Sequence, residues 1–431
     1  MSLRPLAALF FLTLSALALA GCATSPATSV ASQASPAPIQ AAAAQRPLVI
    51  LVSIDGFRPD YLARGETPVL SRLAAEGATG PMEPSFPSKT FPNHYTIVTG
   101  LRPDHHGIVN NNMVDPAIPG VEFRLGNAAA VTDRRWWDDG EPIWVTAENA
   151  GLTSAAMFWP GSEAEVRGVR PSLYATFDQT MAGDARVDQL LTWLDLPKDG
   201  PRGQRRPDIA TLYFDLVDTA GHNHGPDSPK VGEALVSVDA SIGRLLAGLE
   251  ARGLRDKAVV IIVSDHGMAA TSPERVARLG PIASSPDAAK VLYTGPIASI
   301  EPLPGHEAEV TAEVLAPQEH MNCWRKSEIP ARFEFGAHRR VPSLFCLAET
   351  GWEILKADAT FRGQGGGDHG YDNASPDMQA IFIANGMGVR PGARITGLKN
   401  VDIHSLLGRL LAIPVPADDG RASATADVLV H

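Results

Sequence analysis

The chain has 431 residues, 44% of them hydrophobic and 20% charged, a balance ordinary for a globular protein built as one large core or as two or three domains. Its formal net charge is -11; residues 1–45 carry only Arg4, so the remainder carries 36 - 48 = -12, which argues against a general nucleic-acid surface. A phosphate site must then bring its own positive charge, which metal ions supply locally without a basic surface.

In chain order, Arg4 precedes an apolar run from Leu6 to Ala20. The run is too short for a comfortable membrane span and reads as the core of a signal peptide over residues 1–21. Leu19-Ala20-Gly21-Cys22 resembles a bacterial lipoprotein lipobox, which implies lipidation of Cys22. Lipidation implies an exported, periplasmic chain anchored to the outer membrane; the alternative is a plain signal peptide with an incidental cysteine. Residues 22–45 carry no charge and are rich in Ala, Ser, Thr, Pro and Gln. Such a segment cannot bury enough apolar surface to offset chain entropy, so a flexible tether is expected. No later segment is long and apolar enough to span a membrane.

The body begins with the apolar run Pro47–Ile54, which ends at Asp55-Gly56. Three similar runs follow: Asp208–Phe214, ending at Asp215 and Asp218; Ala258–Ser264, ending at Asp265-His266-Gly267; and Gln379–Ala384. Continuous β-rich runs of this kind suit strands buried on both faces. Helical patterns at Pro68–Glu76, Val187–Leu194 and Lys230–Arg252 lie between them. Alternating strands and helices predict an α/β fold with a mostly parallel central sheet covered on both faces. Residues 285–365 break the alternation, are rich in Pro, Glu and Arg, and hold Cys323 and Cys346. They are expected to form an inserted subdomain, leaving 46–284 and 366–431 as the catalytic core. Cys323 and Cys346 are expected to be joined by a disulfide in an oxidising compartment, the alternative being two buried thiols.

Ligands of open α/β sheets bind at the C-terminal ends of the strands. A lone Asp there is commonly a cap or turn residue. Three strand ends bearing Asp, Asp and Asp-His are harder to explain that way. Asp218 and His222 are four residues apart, a workable spacing for two ligands of one metal. Asp368-His369 follows Gly365-Gly-Gly367, which lets backbones approach closely. Thr90 begins a predicted helix whose first N–H groups could bind an anion, or it is merely an N-cap. His224 is expected near the site but outside the ligand set, and His94 has no assigned role.

Ile54-Asp55-Gly56-Phe57-Arg58, Lys89-Thr90-Phe91-Pro92-Asn93-His94, His106-Gly107-Ile108, Asp218 with Gly221-His222 and Gly225-Pro226, Ser264-Asp265-His266-Gly267-Met268, and His369-Gly370-Tyr371-Asp372 occur in one order. That series resembles the nucleotide pyrophosphatase/phosphodiesterase family of the alkaline phosphatase superfamily, from about Arg46 to the end of the chain. The resemblance implies an alkaline-phosphatase-like sandwich and two zinc ions (Zn2+) per chain. Asp55, Thr90, Asp265 and His266 would hold one ion, with Thr90 also the nucleophile; Asp218, His222 and His369 would hold the other. Asn111 matches an asparagine that donates to a phosphoryl oxygen. Phe91, Tyr213 and Tyr174 match aromatics that sandwich a nucleobase. Animal members typically have Glu and Pro where this chain has Asp215 and Val217, and the family-like segments Glu141–Trp144 and Phe158–Gly161 are assigned only packing.

The implied reaction is hydrolysis of a nucleotide phosphodiester or pyrophosphate through a phospho-threonine ester. A phospholipid-headgroup diesterase and a phosphomonoesterase remain open on the same fold, as does a metal-binding surface lipoprotein without turnover. A sulfatase is excluded, because Thr90 cannot be converted to the aldehyde such enzymes need.

Overall fold

The computed structural model describes residues 46–361 and 365–430. The signal peptide, Cys22 and the tether lie outside those residues. The run after Arg46 forms strand β1 (Leu48–Ile54), buried at every position. Val49 and Leu51 point into one core, while Leu48, Ile50, Val52 and Ile54 point into another. This two-sided burial is what its unbroken apolar sequence requires. Seven more strands complete the sheet: β2 (Ala78–Glu83), β3 (Ser154–Met157), β4 (Leu173–Tyr174), β5 (Ile209–Phe214), β6 (Ala258–Val263), β7 (Ala380–Gly386) and β8 (Leu398–Lys399). Their order is β8-β2-β7-β6-β1-β5-β3-β4. β7 runs antiparallel to both of its neighbours, β2 and β6, whereas the other pairings are parallel.

Six helices matter for the site: α1 (Pro68–Glu76), α2 (Thr90–Thr99), α3 (Gly183–Leu194), α4 (Leu216–His224), α5 (Pro229–Ala251) and α6 (Asp402–Leu411). Leu73 of α1, Leu190 of α3 and Ile242 of α5 close one face of the sheet. Ile97 of α2 and Leu406 of α6 close the other. No helix among the described residues is long and apolar enough to cross a membrane.

A second, antiparallel sheet is built from Ala289–Tyr293, Ile297–Pro302, Leu344–Ala348 and Met321–Arg325, in that spatial order. It has its own core, including Ile300, Val310 and Leu344, which also takes in Tyr371 and Met378 beside the catalytic loops. Cys323 lies directly opposite Cys346, and the two are joined by a disulfide with Cα atoms 4.0 Å apart.

Candidate active site

Asp55 follows β1, Asp218 lies in α4 just past β5, and Asp265 and His266 follow β6. Since β1 lies between β5 and β6 and is parallel to both, these side chains converge at the C-terminal ends of the central strands. Gly56 makes the approach possible: its φ is +70°, and a Cβ there would lie 3.1 Å from the Asp218 Cα. Gly366 does the same for the last segment, where a Cβ would meet the His222 carbonyl oxygen at 2.1 Å. Two groups result. Asp55, Asp265 and His266 form one, and Asp218, His222 and His369 the other; within each, one ligand atom per residue lies within 4.8 Å of the others.

The three imidazoles are oriented alike. Nδ1–H of His222 donates to the Gly367 carbonyl, that of His266 to Gly267, and that of His369 to Ser88, each at 2.9 Å. Because a carbonyl only accepts, Nδ1 carries the proton and the Nε2 lone pair is turned to the site. The rings of His266 and His369 stack at 3.5 Å. Two buried carboxylate oxygens, Asp55 Oδ1 and Asp218 Oδ1, have no hydrogen-bond partner, whereas Asp265 Oδ2 has His266 Nε2 at 2.8 Å. Unpaired buried anions are costly, and cations held between them remove the cost. Burial, then the charge of Asp265, pushes the Asp55 carboxyl well above the usual carboxylate range. Burial likewise raises Asp218. For Asp265 burial acts upward, but the His266 and His94 imidazoles outweigh it and hold the group well below that range. Lone pairs on nitrogen and unpaired carboxylate oxygens, gathered twice, fit a pair of metal ions with N and O ligands.

Thr90 opens α2, and its Oγ1 is 3.2 Å from His266 Nε2. The Phe91 N–H donates to Asn111 Oδ1 at 2.9 Å, which leaves the Asn111 Nδ2 group free to donate at the same helix start. A cavity of about 530 Å3 opens over Asp55, Thr90 and Asp218. Its walls include Phe91, Tyr213, Phe158, Trp159 and Phe177, and among the described residues no lysine or arginine lines it.

Several residues differ in role from the sequence reading. Tyr174 does not line the cavity: it sits on the short edge strand β4, 40% exposed, with Arg170 5.9 Å from its ring. Phe177, three residues on and 44% exposed, occupies that wall instead. Tyr213 does line the cavity, but its hydroxyl donates to Asp55 Oδ2 at 2.6 Å, so it also orients a carboxylate. Phe158–Gly161 is more than packing, since all four residues line the cavity. His94 is fully buried; its Nδ1 is 2.9 Å from the Thr90 carbonyl and 3.3 Å from Asp265 Oδ2, and Ser53 Oγ is 2.8 Å from its Nε2. Its position four residues after Thr90, on one helix face, was the available signal. His224 is exposed at the end of α4 and belongs to neither group. Asp215, the departure before Asp218, pairs with the buried Arg186 at 2.8 Å.

A mostly parallel sheet with helices on both faces, bearing paired Asp/His groups that could hold metal ions beside a helix-start threonine, defines an alkaline-phosphatase-like fold. Residues 49–372 match the model of the type I phosphodiesterase/nucleotide pyrophosphatase family, and the chain belongs to that family. It is 37% identical, over 86% of its length and 78% of the relative's, to an uncharacterised pyrophosphatase/phosphodiesterase of Schizosaccharomyces pombe. It is 35% identical to human ectonucleotide pyrophosphatase/phosphodiesterase family member 1, over 87% of this chain and 41% of that one, so it spans less than half of that relative. The structure of murine ectonucleotide pyrophosphatase/phosphodiesterase 5, an inactive form in complex with AMP, superposes with a TM-score of 0.83 at 31% identity, covering 90% of this chain and 100% of that one.

Proposed function

We propose that the chain is a two-zinc hydrolase that cleaves nucleotide phosphodiester and pyrophosphate bonds, for example ATP to AMP and pyrophosphate. The observation that carries this reading is the meeting of two Asp/His groups, each with an unpaired buried carboxylate oxygen, at Thr90 Oγ1. Asp55, Asp265, His266 and Thr90 would hold one zinc ion, and Asp218, His222 and His369 the other. Bound zinc would lower the pKa of the hydroxyl and of a water and would offset charge on the phosphoryl oxygens. Thr90 Oγ1 attacks phosphorus, the bond to the leaving oxygen breaks, and a phospho-threonine ester forms. Water then hydrolyses that ester and returns the threonine. Asn111 Nδ2 donates to a non-bridging oxygen, and Phe91 and Tyr213 flank the base, with Phe177 beside Tyr213. The inactive murine relative solved with AMP supports a nucleotide at this position. Lipidation of Cys22 would hold the enzyme at the periplasmic face of a bacterial outer membrane.

A monoester dianion carries one more charge than a diester and calls for an added cation near the transferred phosphate. With no lysine or arginine in the cavity lining, the diester should be the better substrate. Comparing kcat/KM for a nitrophenyl nucleotide diester, a lipid-headgroup diester and nitrophenyl phosphate tests this. A faster monoester reaction would overturn the assignment in favour of a phosphatase, and a faster headgroup reaction would replace the nucleotide.

A further inference from the structure

Lys89 immediately precedes the nucleophile, yet its charge is turned away from the cavity. The side chain is 1% exposed, and Nζ donates to Asp368 Oδ1 at 3.1 Å. Asp368 immediately precedes His369, and the same Oδ1 accepts the His369 backbone N–H at 2.7 Å. Other bonds join the same two segments. His369 Nδ1 donates to the Ser88 carbonyl, and Ser88 Oγ donates to the Tyr371 carbonyl, each at 2.9 Å. The lysine stem runs against Gly370, where a Cβ would lie 2.4 Å from Lys89 Cε.

The second sheet and the strand Glu353–Leu355 close over this pair. Tyr293 places its ring 5.0 Å from Lys89 Nζ, and the Tyr371 hydroxyl donates to Glu353 Oε1 at 3.2 Å. For Lys89 burial acts downward, but Asp368 more than reverses it, so the ammonium stays charged. A buried ion pair is often no more stabilising than an apolar pair of equal volume. What it adds is direction, because both charges are satisfied in only one register of the two segments.

We propose that Lys89 and Asp368 are positioning residues, whose ion pair, buried at its lysine end, fixes the segment carrying Thr90 to the segment carrying His369 and so sets the nucleophile against the second metal group. The proposal rests on the two-zinc reading above. It makes the lysine a strut of the site rather than a phosphate ligand.

Lys89→Met, Asp368→Asn and the double variant test it, with three readouts: thermal unfolding, zinc affinity by chelator competition, and kcat with KM for the nitrophenyl nucleotide diester. Lys89→Met leaves the half-buried Asp368 carboxylate without its partner and should lose stability as well as turnover. The double variant leaves no buried charge and should regain thermal stability. Its kcat and its affinity for the second zinc should still stay about 10–100-fold down, with KM little changed, as is usual when a residue behind a metal ligand is removed. A purely structural pair would restore stability, kcat and zinc affinity together, and that result overturns the proposal. So does a Lys89→Met protein with wild-type kcat and zinc affinity. A wild-type chain that neither binds zinc nor turns over the diester overturns the two-zinc reading and this proposal with it.

Discussion

At the scale of single residues, Thr90 carries the sharpest expectation. Its hydroxyl lies beside His266 at the start of α2, and alanine keeps the helix while removing the oxygen. Thr90→Ala should lower turnover by roughly a thousandfold or more while the protein folds and still binds AMP; near-native activity would end its role as nucleophile. Glu353 carries a different expectation. Burial, then the charge of Asp368, pushes its carboxyl from 4.5 up to about 8, with Lys89 and Tyr371 acting the other way. Below pH 4.5 both folded and unfolded chains hold the proton. From there to about pH 8 the unfolded chain ionises and the folded one does not, so this group's contribution to stability is lost across that window. Glu353→Gln cannot ionise, so its urea-unfolding free energy should decline less over the same range; equal declines would refute the assignment. The Asp and His groups were legible in the sequence because each follows a buried apolar run or a glycine cluster. His94 and Phe177 were less so. His94 stands four residues after Thr90 on one helix face, but that spacing alone does not show that it meets the carboxylate of Asp265, which follows a different strand. Phe177 lies on irregular chain after β4, where no periodicity marks which aromatic turns inward.

At the scale of elements, the main strands follow from apolar runs that either face could bury. Such runs do not encode direction, which is why β7 could not be told from a parallel strand. The second sheet was read as an inserted subdomain whose strands were not placed, because they are short and bounded by Pro and charged residues. Within it, Met321–Arg325 is an edge strand tied to its neighbour by Cys323–Cys346, 23 residues apart in sequence. Closing a loop of that size contributes about 3 kcal/mol in the chain-entropy account. Replacing both cysteines by serine should lower stability by about that amount. Hydrogen exchange should rise first in this sheet and leave β1, β5 and β6 protected. Thiol labelling of the denatured, unreduced protein should find neither cysteine free.

At the scale of the whole molecule, the net charge is -11 and no lysine or arginine among the described residues lines the cavity, so under the two-zinc proposal substrate phosphate would take its counter-charge from the ions. Such ions would bind the folded chain far better than the unfolded one. Ions present at about a thousand times their Kd add about 4 kcal/mol to folding. Chelation should therefore abolish diester turnover and lower the unfolding temperature together, and zinc should restore both; full activity in chelator would refute metal dependence. The order of the sheet has a consequence for how the molecule is made. β7 joins β2 to β6, yet it comes from residues 380–386, just after His369. A ribosome that has made only the first three hundred residues has produced one five-stranded sheet, a lone strand β2 and one incomplete ligand group. Long-range pairing of this kind is slow and leaves edges open to aggregation. The stretch that closes the sheet follows directly on His369, the last member of the two Asp/His groups, so a nascent chain still short of it would have neither a closed sheet nor a complete second group.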